Sequence, residues 1–352
     1  MPFETLDTPC VLIDLDRVEA NLARAQAYAN ANGLKLRPHI KTHKLPRFAR
    51  RQVEMGAVGV TCQKLGEAEV MADAGVKDIF LPYNILGESK LARLRALADR
   101  VKISVTADGE VTIRGLSKAF AGAAKPLSVL VECDTGMGRC GVQTAEQALA
   151  LAKTIASSPG LVFAGLMTYP ATGKVEASAA WLSDAVDLLK QEGLPPAIVS
   201  TGGTPDMWRA SDVKVATEYR PGTYIYLDRY QVLKGAGALE DCALTVLATV
   251  VSRPTPDRAV VDAGSKTLTS DTLGLDGFGL VLGYPDAVIR SLSEEHGVID
   301  LSKSDKKPEI GERVRIVPNH ACVVSNLFDK ITLVSQDSVV ETIPVAARGR
   351  VD

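Results

Sequence analysis

Several things are scarce or missing in this 352-residue chain, and each narrows what it can be. No uninterrupted apolar run reaches the ~18 residues of a membrane-spanning helix, so no membrane partner is expected. Net charge is almost absent: 40 basic against 42 acidic side chains leave −2, with a pI near 6.2. That balance gives no electrostatic reason to expect nucleic acid or an anionic membrane surface as a partner. The six cysteines are scattered, with no CxxC pair and no dense framework, a pattern that fits reduced thiols in a cytoplasm. The opening Met1-Pro2-Phe3-Glu4-Thr5 is short and polar and lacks the charged, apolar and small-residue order of an export leader, which again predicts a cytoplasmic chain. No GxGxxG turn follows the first strand-like run, which weakens a dinucleotide-binding reading. Histidine is rarest of all. Only four are present, and two of them, His39 and His43, fall within one short stretch.

Apolar residues make up 46% of the chain, enough for a sizeable core. From Asp16 to Ala31 the apolar positions recur with helical period and stop at Asn32-Gly33; a strand is then expected over Leu34–Ile40. Helix and strand go on alternating to about Tyr226, roughly eight units in ~220 residues, with strands that are apolar throughout. Strands of that kind are buried on both faces of a parallel sheet, and the count suits a closed (β/α)8 barrel better than an open doubly wound sheet. The last unit, from Pro205 to Tyr226, is the least clear. Composition then shifts to β-branched runs at 244–251, 259–262, 313–317 and 330–334, with no long helical period. The expected organisation is an α/β barrel domain over 1–235 and a predominantly β domain over 236–352, with residues 1–14 a candidate for pairing with the β domain.

Five stretches could carry chemistry. Arg37-Pro38-His39-Ile40-Lys41-Thr42-His43-Lys44 follows the opening strand, where a barrel places its reactive groups. A lysine desolvated there has a lowered pKa and a nucleophilic amine. The plain alternative is a solvated basic loop. Asp134-Thr135-Gly136-Met137-Gly138-Arg139 sets a carboxylate and an arginine in a flexible turn; its plain reading is an Asp134–Arg139 pair. Ser200-Thr201-Gly202-Gly203-Thr204 offers exposed amides, hydroxyls and the expected start of a helix, which together suit a phosphate. Arg220-Pro221-Gly222-Thr223-Tyr224 is a second turn able to reach the same phosphate. In the β domain, Pro318-Asn319-His320-Ala321-Cys322 follows a strand. In extended chain, His320 and Cys322 would project to the same side and could hold Zn²⁺ with open positions for substrate. A coincidental histidine beside a buried cysteine is the alternative, and His296 could support such a site or cap a loop.

Taken together and in order, these stretches resemble the fold-type III pyridoxal-phosphate enzymes. More narrowly, the chain is similar to the metal-activated group of D-threonine aldolases, D-serine dehydratases and D-threo-3-hydroxyaspartate dehydratases. The resemblance runs from Asp7-Thr8-Pro9 to Cys322. It implies that Lys41 forms the Schiff base with pyridoxal phosphate. It implies a phosphate site at Ser200, Thr201, Gly202, Gly203 and Thr204 together with Gly222 and Thr223. It places Arg139 near the cofactor's phenolic oxygen, Arg220 near its ring nitrogen, and a divalent metal (Zn²⁺ first, Mn²⁺ or Mg²⁺ as alternatives) on His320 and Cys322. His-x-Cys there, where aldolases more often carry His-x-Asp, tilts the reading towards dehydration of D-serine, D-threonine or D-threo-3-hydroxyaspartate. Retro-aldol cleavage to glycine and an aldehyde is the alternative. One departure stands out: where several members carry a histidine, this chain reads Thr168-Tyr169-Pro170, and Tyr169 is the candidate to take that place as acid or base.

The family implies a homodimer acting on a small D-3-hydroxy amino acid. An amino-acid racemase would need no metal pair, and a non-catalytic pyridoxal-phosphate carrier would lack the second domain. A metal-only hydrolase would need a carboxylate at fixed spacing from the histidines. These readings are weaker.

Overall fold

The structure is a computed structural model and describes residues 3–352. The chain forms two compact units, here called the barrel unit and the β unit. Arg24–Lys41, Leu45–Gly222 and Arg350–Asp352 build the first. The stretch up to Ala23, Thr42–Lys44 and Thr223–Gly349 build the second. The longest segment of the second unit begins at Thr223.

The first nine strands are β1 (Cys10–Asp14), β2 (Lys35–Leu36), β3 (Val60–Thr61), β4 (Asp78–Leu81), β5 (Lys102–Ala107), β6 (Leu127–Cys133), β7 (Leu161–Thr168), β8 (Ile198–Thr201) and β9 (Glu218–Tyr219). In the barrel unit β2 to β9 form one parallel sheet in the order β2-β9-β8-β7-β6-β5-β4-β3. Its two edges meet. The Val58 amide donates to the Leu36 carbonyl at 2.9 Å, the Thr61 amide to that of Pro38 at 2.7 Å, and His39 bridges to Thr61, closing the eight strands into a barrel. Val129, Leu130 and Val131 of β6 are all buried, as expected where helices cover one face of a strand and barrel side chains fill the other. The helices follow their apolar period. Helix Ala145–Ser157, capped by the Thr144 hydroxyl, buries Ala148, Leu151, Ala152 and Ile155 along one stripe.

Two local expectations are corrected here. Of the strand expected over Leu34–Ile40, only Lys35–Leu36 keeps a ladder, and Ile40–Thr42 forms one 3-10 turn. Pro38 has no N–H to give to a sheet, so the strand stops before it. No α-helix begins just after the Ser200–Pro205 turn, where one is expected. A short 3-10 segment, Met207–Asp212, follows instead.

The β unit adds β10 (Leu244–Thr255), β11 (Arg258–Val261), β12 (Leu280–Val281), β13 (Val288–Leu292), β14 (Gly297–Asp300), β15 (Arg313–Val317), β16 (Lys330–Ser335) and β17 (Ser338–Pro344). Their order is β11-β14-β13-β12-β15-β10-β1-β16-β17, and β11 also pairs with β10, so that part of the sheet closes on itself. β1 lies between two strands from far along the chain. It runs antiparallel to β10, with Cys10 opposite Leu247, and parallel to β16, with Leu12 opposite Thr332. No helix among the described residues is long and apolar enough to cross a membrane.

Candidate active site

Arg37 to Leu45 is buried nearly throughout. Arg37 is 5% exposed, His43 1% and Lys44 5%, and only Lys41 is half-open. A solvated basic loop is thereby excluded, and His43 and Lys44 face the interior rather than water. The Lys44 amine donates to the Ala347 carbonyl at 3.3 Å. Lys41 lies in the 3-10 turn just beyond β2, and its Nζ is 6.0 Å from the centre of the Tyr169 ring. The Lys41 amide donates to His39 Nδ1 at 3.4 Å, which leaves Nε2 to donate to Gln63 Oε1 at 3.0 Å and so fixes the imidazole tautomer.

Arg139 stands in a loop that turns back on its own strand. The Val142 amide donates to the Glu132 carbonyl at 2.9 Å, and the Asp134 amide to that of Val142 at 3.0 Å. Asp134 does not pair with Arg139. Its carboxylate accepts the amides of Gly136 at 2.9 Å and Gly138 at 3.1 Å; burial alone would raise its pKa, but these bonds, with that from Gln143, together hold it down. The Arg139 guanidinium is left to stack 5.0 Å from the Tyr169 ring centre, so that ring faces both Lys41 and Arg139. Glu132, at the end of β6, is buried and accepts from Thr106 Oγ1 at 3.3 Å. Burial pushes its carboxyl up, while the Arg139 charge pulls it back. Glu132 and Arg139 share a pocket of ≈ 550 Å³ with Gln63, Tyr83, Asn84 and Cys140, at the ends of β3, β4 and β6.

Across the barrel, the turn after β8 is tied to the one after β9. The Gly222 amide donates to Thr204 Oγ1 at 3.2 Å, the Arg220 amide to the Thr201 carbonyl at 2.9 Å, and Tyr219 OH to the Gly203 carbonyl at 2.7 Å. At Gly202 a Cβ would come within 2.5 Å of the Arg220 backbone nitrogen, and at Gly203 within 3.3 Å of the Tyr169 ring, so both positions need glycine. Neither glycine amide donates to another group among the described residues, which leaves both available to an anion. Ser200 differs. Its hydroxyl donates to Glu218 Oε1 and accepts from Arg220 Nη1, both at 2.7 Å. A single hydroxyl so engaged has no proton left for a phosphate. Lys41, the free Gly202 and Gly203 amides and the unpaired Arg139 suit a phosphorylated aldehyde: an amine for the carbonyl, amides for the phosphate and a cation for a ring oxygen.

In the β unit His320 is the extended residue that opens helix Ala321–Leu327, and Cys322 lies in the first turn. The pair therefore converges at a strand-to-helix junction, where the sequence predicts an extended strand. Their side chains hydrogen-bond. Burial alone would lower the His320 pKa, but Cys322 and Asp271 push it up to about 9. Burial alone would raise that of Cys322, but His320, Thr223 and Thr42 hold it down. Thr42 Oγ1 lies 3.1 Å and Thr223 Oγ1 3.4 Å from the sulfur. Asp271 Oδ2 is 2.7 Å from His320 Nδ1 and orients the imidazole so that Nε2 faces the thiol, the carboxylate support typical of a metal-binding histidine. Among the described residues no three His, Cys, Asp or Glu side chains converge on one point, and His320 and Cys322 stand as a pair. A cysteine sulfur and an oriented imidazole are a donor pair that fits a borderline divalent ion. His296 lies in the β13–β14 turn, its carbonyl accepting the Ser293 amide.

Asp271, Asp228 and Thr42 escape the sequence analysis. Asp228 caps two segments at once, accepting the Gln231 and Ala321 amides at 2.9 Å each, and so fixes the start of the helix that carries Cys322. Its place before Arg229–Leu233 is a readable N-cap signal. Asp271, 49 residues before His320, leaves no such trace.

Comparison with known proteins agrees across the chain. Residues 13–230 match the family model for the alanine racemase N-terminal domain, and 243–334 that for a putative serine dehydratase domain. A D-threonine aldolase of Arthrobacter sp is 36% identical over 99% of this chain and 94% of its own length. A D-threo-3-hydroxyaspartate dehydratase of Delftia sp. (strain HT23) is 31% identical over 96% of this chain and 97% of its own. The crystal structure of D-threonine aldolase from Filomicrobium marinum superposes with a TM-score of 0.91 at 35% identity, covering 100% of this chain and 98% of that one.

Proposed function

The chain belongs to the fold-type III pyridoxal-phosphate family of D-threonine aldolases and D-3-hydroxy-amino-acid dehydratases, and from that premise we propose that it cleaves D-3-hydroxy amino acids to glycine and an aldehyde. It is a lyase dependent on pyridoxal phosphate and a divalent metal. The observation that favours cleavage is the likeness to D-threonine aldolases, in sequence over 99% of this chain and in fold over all of it. Dehydration to an oxo acid is the second reading, and the His320-x-Cys322 pair favours it.

When bound, pyridoxal phosphate supplies an electron sink for charge developing at the substrate's Cα, and the metal a Lewis acid for its β-hydroxyl. The protein's share is positioning and proton transfer. Lys41 would carry the cofactor, and its Nζ would serve as the group that moves a proton. The Gly202 and Gly203 amides would hold the phosphate, and Thr204, Gly222 and Thr223 are assigned to the same role. Arg139 neutralises the phenolic oxygen. Tyr169 covers Lys41 and Arg139 with its ring. Arg220 addresses the ring nitrogen. His320 and Cys322 hold the metal, with Zn²⁺ the ion best suited to a thiolate and an imidazole. We assign the working form as a homodimer.

Product analysis with D-threonine tests the choice. Glycine and acetaldehyde mean cleavage; 2-oxobutanoate and ammonia mean dehydration and overturn it.

A further inference from the structure

The Ser200 hydroxyl, expected on a phosphate, belongs instead to a row of side chains inside the barrel unit. Lys102 Nζ lies 2.8 Å from Asp78 Oδ2, and Arg37 Nη1 lies 2.5 Å from Asp78 Oδ1. Arg37 Nε donates to Glu218 Oε2 at 2.7 Å. Ser200 donates to the other Glu218 oxygen, and Arg220 donates to Ser200 from Nη1 and to the Thr168 carbonyl from Nη2 at 2.8 Å. Arg37, Glu218, Ser200 and Arg220 are each 5% exposed or less. The row starts at an exposed lysine where β5 begins and ends at a buried guanidinium just beyond β9.

Polarity along the row is determined by its donors. Arginine has no acceptor, so both Glu218 oxygens accept, and the single Ser200 proton goes to Glu218. Ser200 then meets Arg220 only as an acceptor. Two guanidinium nitrogens are thereby fixed, and the plane of Arg220 cannot turn. Ser200 also keeps Glu218 one hydroxyl away. A carboxylate in direct bidentate contact would cancel more of the positive charge that Arg220 presents. Burial pulls the Arg220 pKa down to about 10, and Glu218 and Glu132 oppose that pull.

We propose that Ser200 and Glu218 are positioning residues: the Arg37–Glu218–Ser200 row fixes the orientation and charge of Arg220, and through it the proton affinity of the cofactor ring. This rests on the reading that Arg220 addresses the ring nitrogen.

The test is a pH titration of the visible cofactor band in the pyridoxal-phosphate-loaded enzyme, with cofactor affinity measured alongside. Ser200→Ala and Glu218→Gln should each move the titration midpoint by about one pH unit, a tenfold change in proton affinity. Ser200→Thr, which keeps the hydroxyl, should restore the wild-type midpoint. If Ser200→Ala titrates as wild type, the inference is overturned. If it does so while binding cofactor more weakly, Ser200 holds the phosphate itself. Should Glu218→Gln fail to fold, Ser200→Ala and Ser200→Thr decide between them. A wild-type chain that develops no visible band with pyridoxal phosphate would instead sink the cofactor reading, a separate and distinguishable failure.

Discussion

Lys41 follows the two-residue β2 and sits in a single 3-10 turn; Cys322 follows β15 and sits in the first turn of Ala321–Leu327. Local design is shared: a strand ends, the next residues stay extended, and the reactive side chain enters where a short helical turn begins. What anchors each differs. The lysine turn hangs from Arg37, whose guanidinium bridges the Glu218 and Asp78 carboxylates in the barrel interior. The cysteine turn hangs from caps: Asp228 on the Ala321 amide, and Asn319 donating to the Gly277 carbonyl at 2.9 Å while accepting from Arg229 at 2.8 Å. Buried ion pairs are rigid and fail badly when one partner is removed, whereas caps and single hydrogen bonds fail in smaller steps. A group that must hold one position through a covalent cycle suits the first kind of support, and a ligand that must adapt to a metal suits the second.

The largest break in that comparison should come from Lys41→Ala. Activity is expected to fall by ~10³-fold or more, and the visible band of covalently bound cofactor to disappear, as read by spectrophotometry of loaded enzyme. Next, Arg37→Met leaves Glu218 and Asp78 without their shared cation and should cost about 3–5 kcal/mol, read from denaturant unfolding of the barrel unit. A loss below 1 kcal/mol would remove the contrast between the two kinds of support. Third, Asp271→Asn should weaken metal binding by ~10–100-fold in a competition titration, with little change in stability; an unchanged affinity would place His320 outside the metal site.

The smallest effect sharpens the barrel side alone. Burial raises the Glu132 pKa above its ordinary value, so the folded chain holds that proton more tightly than the unfolded one. The resulting stabilisation is complete below the ordinary glutamate pKa and is lost as pH rises through the folded value. Glu132→Gln cannot titrate and should flatten the slope, which is at most ~1.4 kcal/mol per pH unit for one proton. Unfolding of cofactor-free protein across that range reads it, and an unaltered slope would show that Glu132 does not titrate on folding.

Where a function rests on residues close in sequence, the chain was legible. The βα alternation, the lysine stretch and the His-x-Cys pair all stand within a few residues of a strand end, and periodicity finds strand ends. Side-chain commitments across the barrel were not legible. Nothing in Ser200-Thr201-Gly202-Gly203-Thr204 says that its serine faces Glu218 and Arg220. That follows from β8 lying beside β9, which is a fact of topology. The short strands β12, β13, β14 and β17 escaped for another reason. β12 has two residues, β13 and β14 carry Arg290 and Asp300, and Val339 and Val340 of β17 are exposed, so none of them reads as a buried apolar run.

The place of β1 bears on how such a chain is made. It leaves the ribosome well before its partners, which lie at 244–247 and 332–334. At ~5–20 residues per second the last of them emerges tens of seconds later. The barrel strands, complete at Tyr219, can close in the meantime, while β1 waits as a strand with both edges open to any neighbouring nascent chain. Slowing translation between 250 and 330 would lengthen that wait and should lower the soluble yield without altering the finished protein.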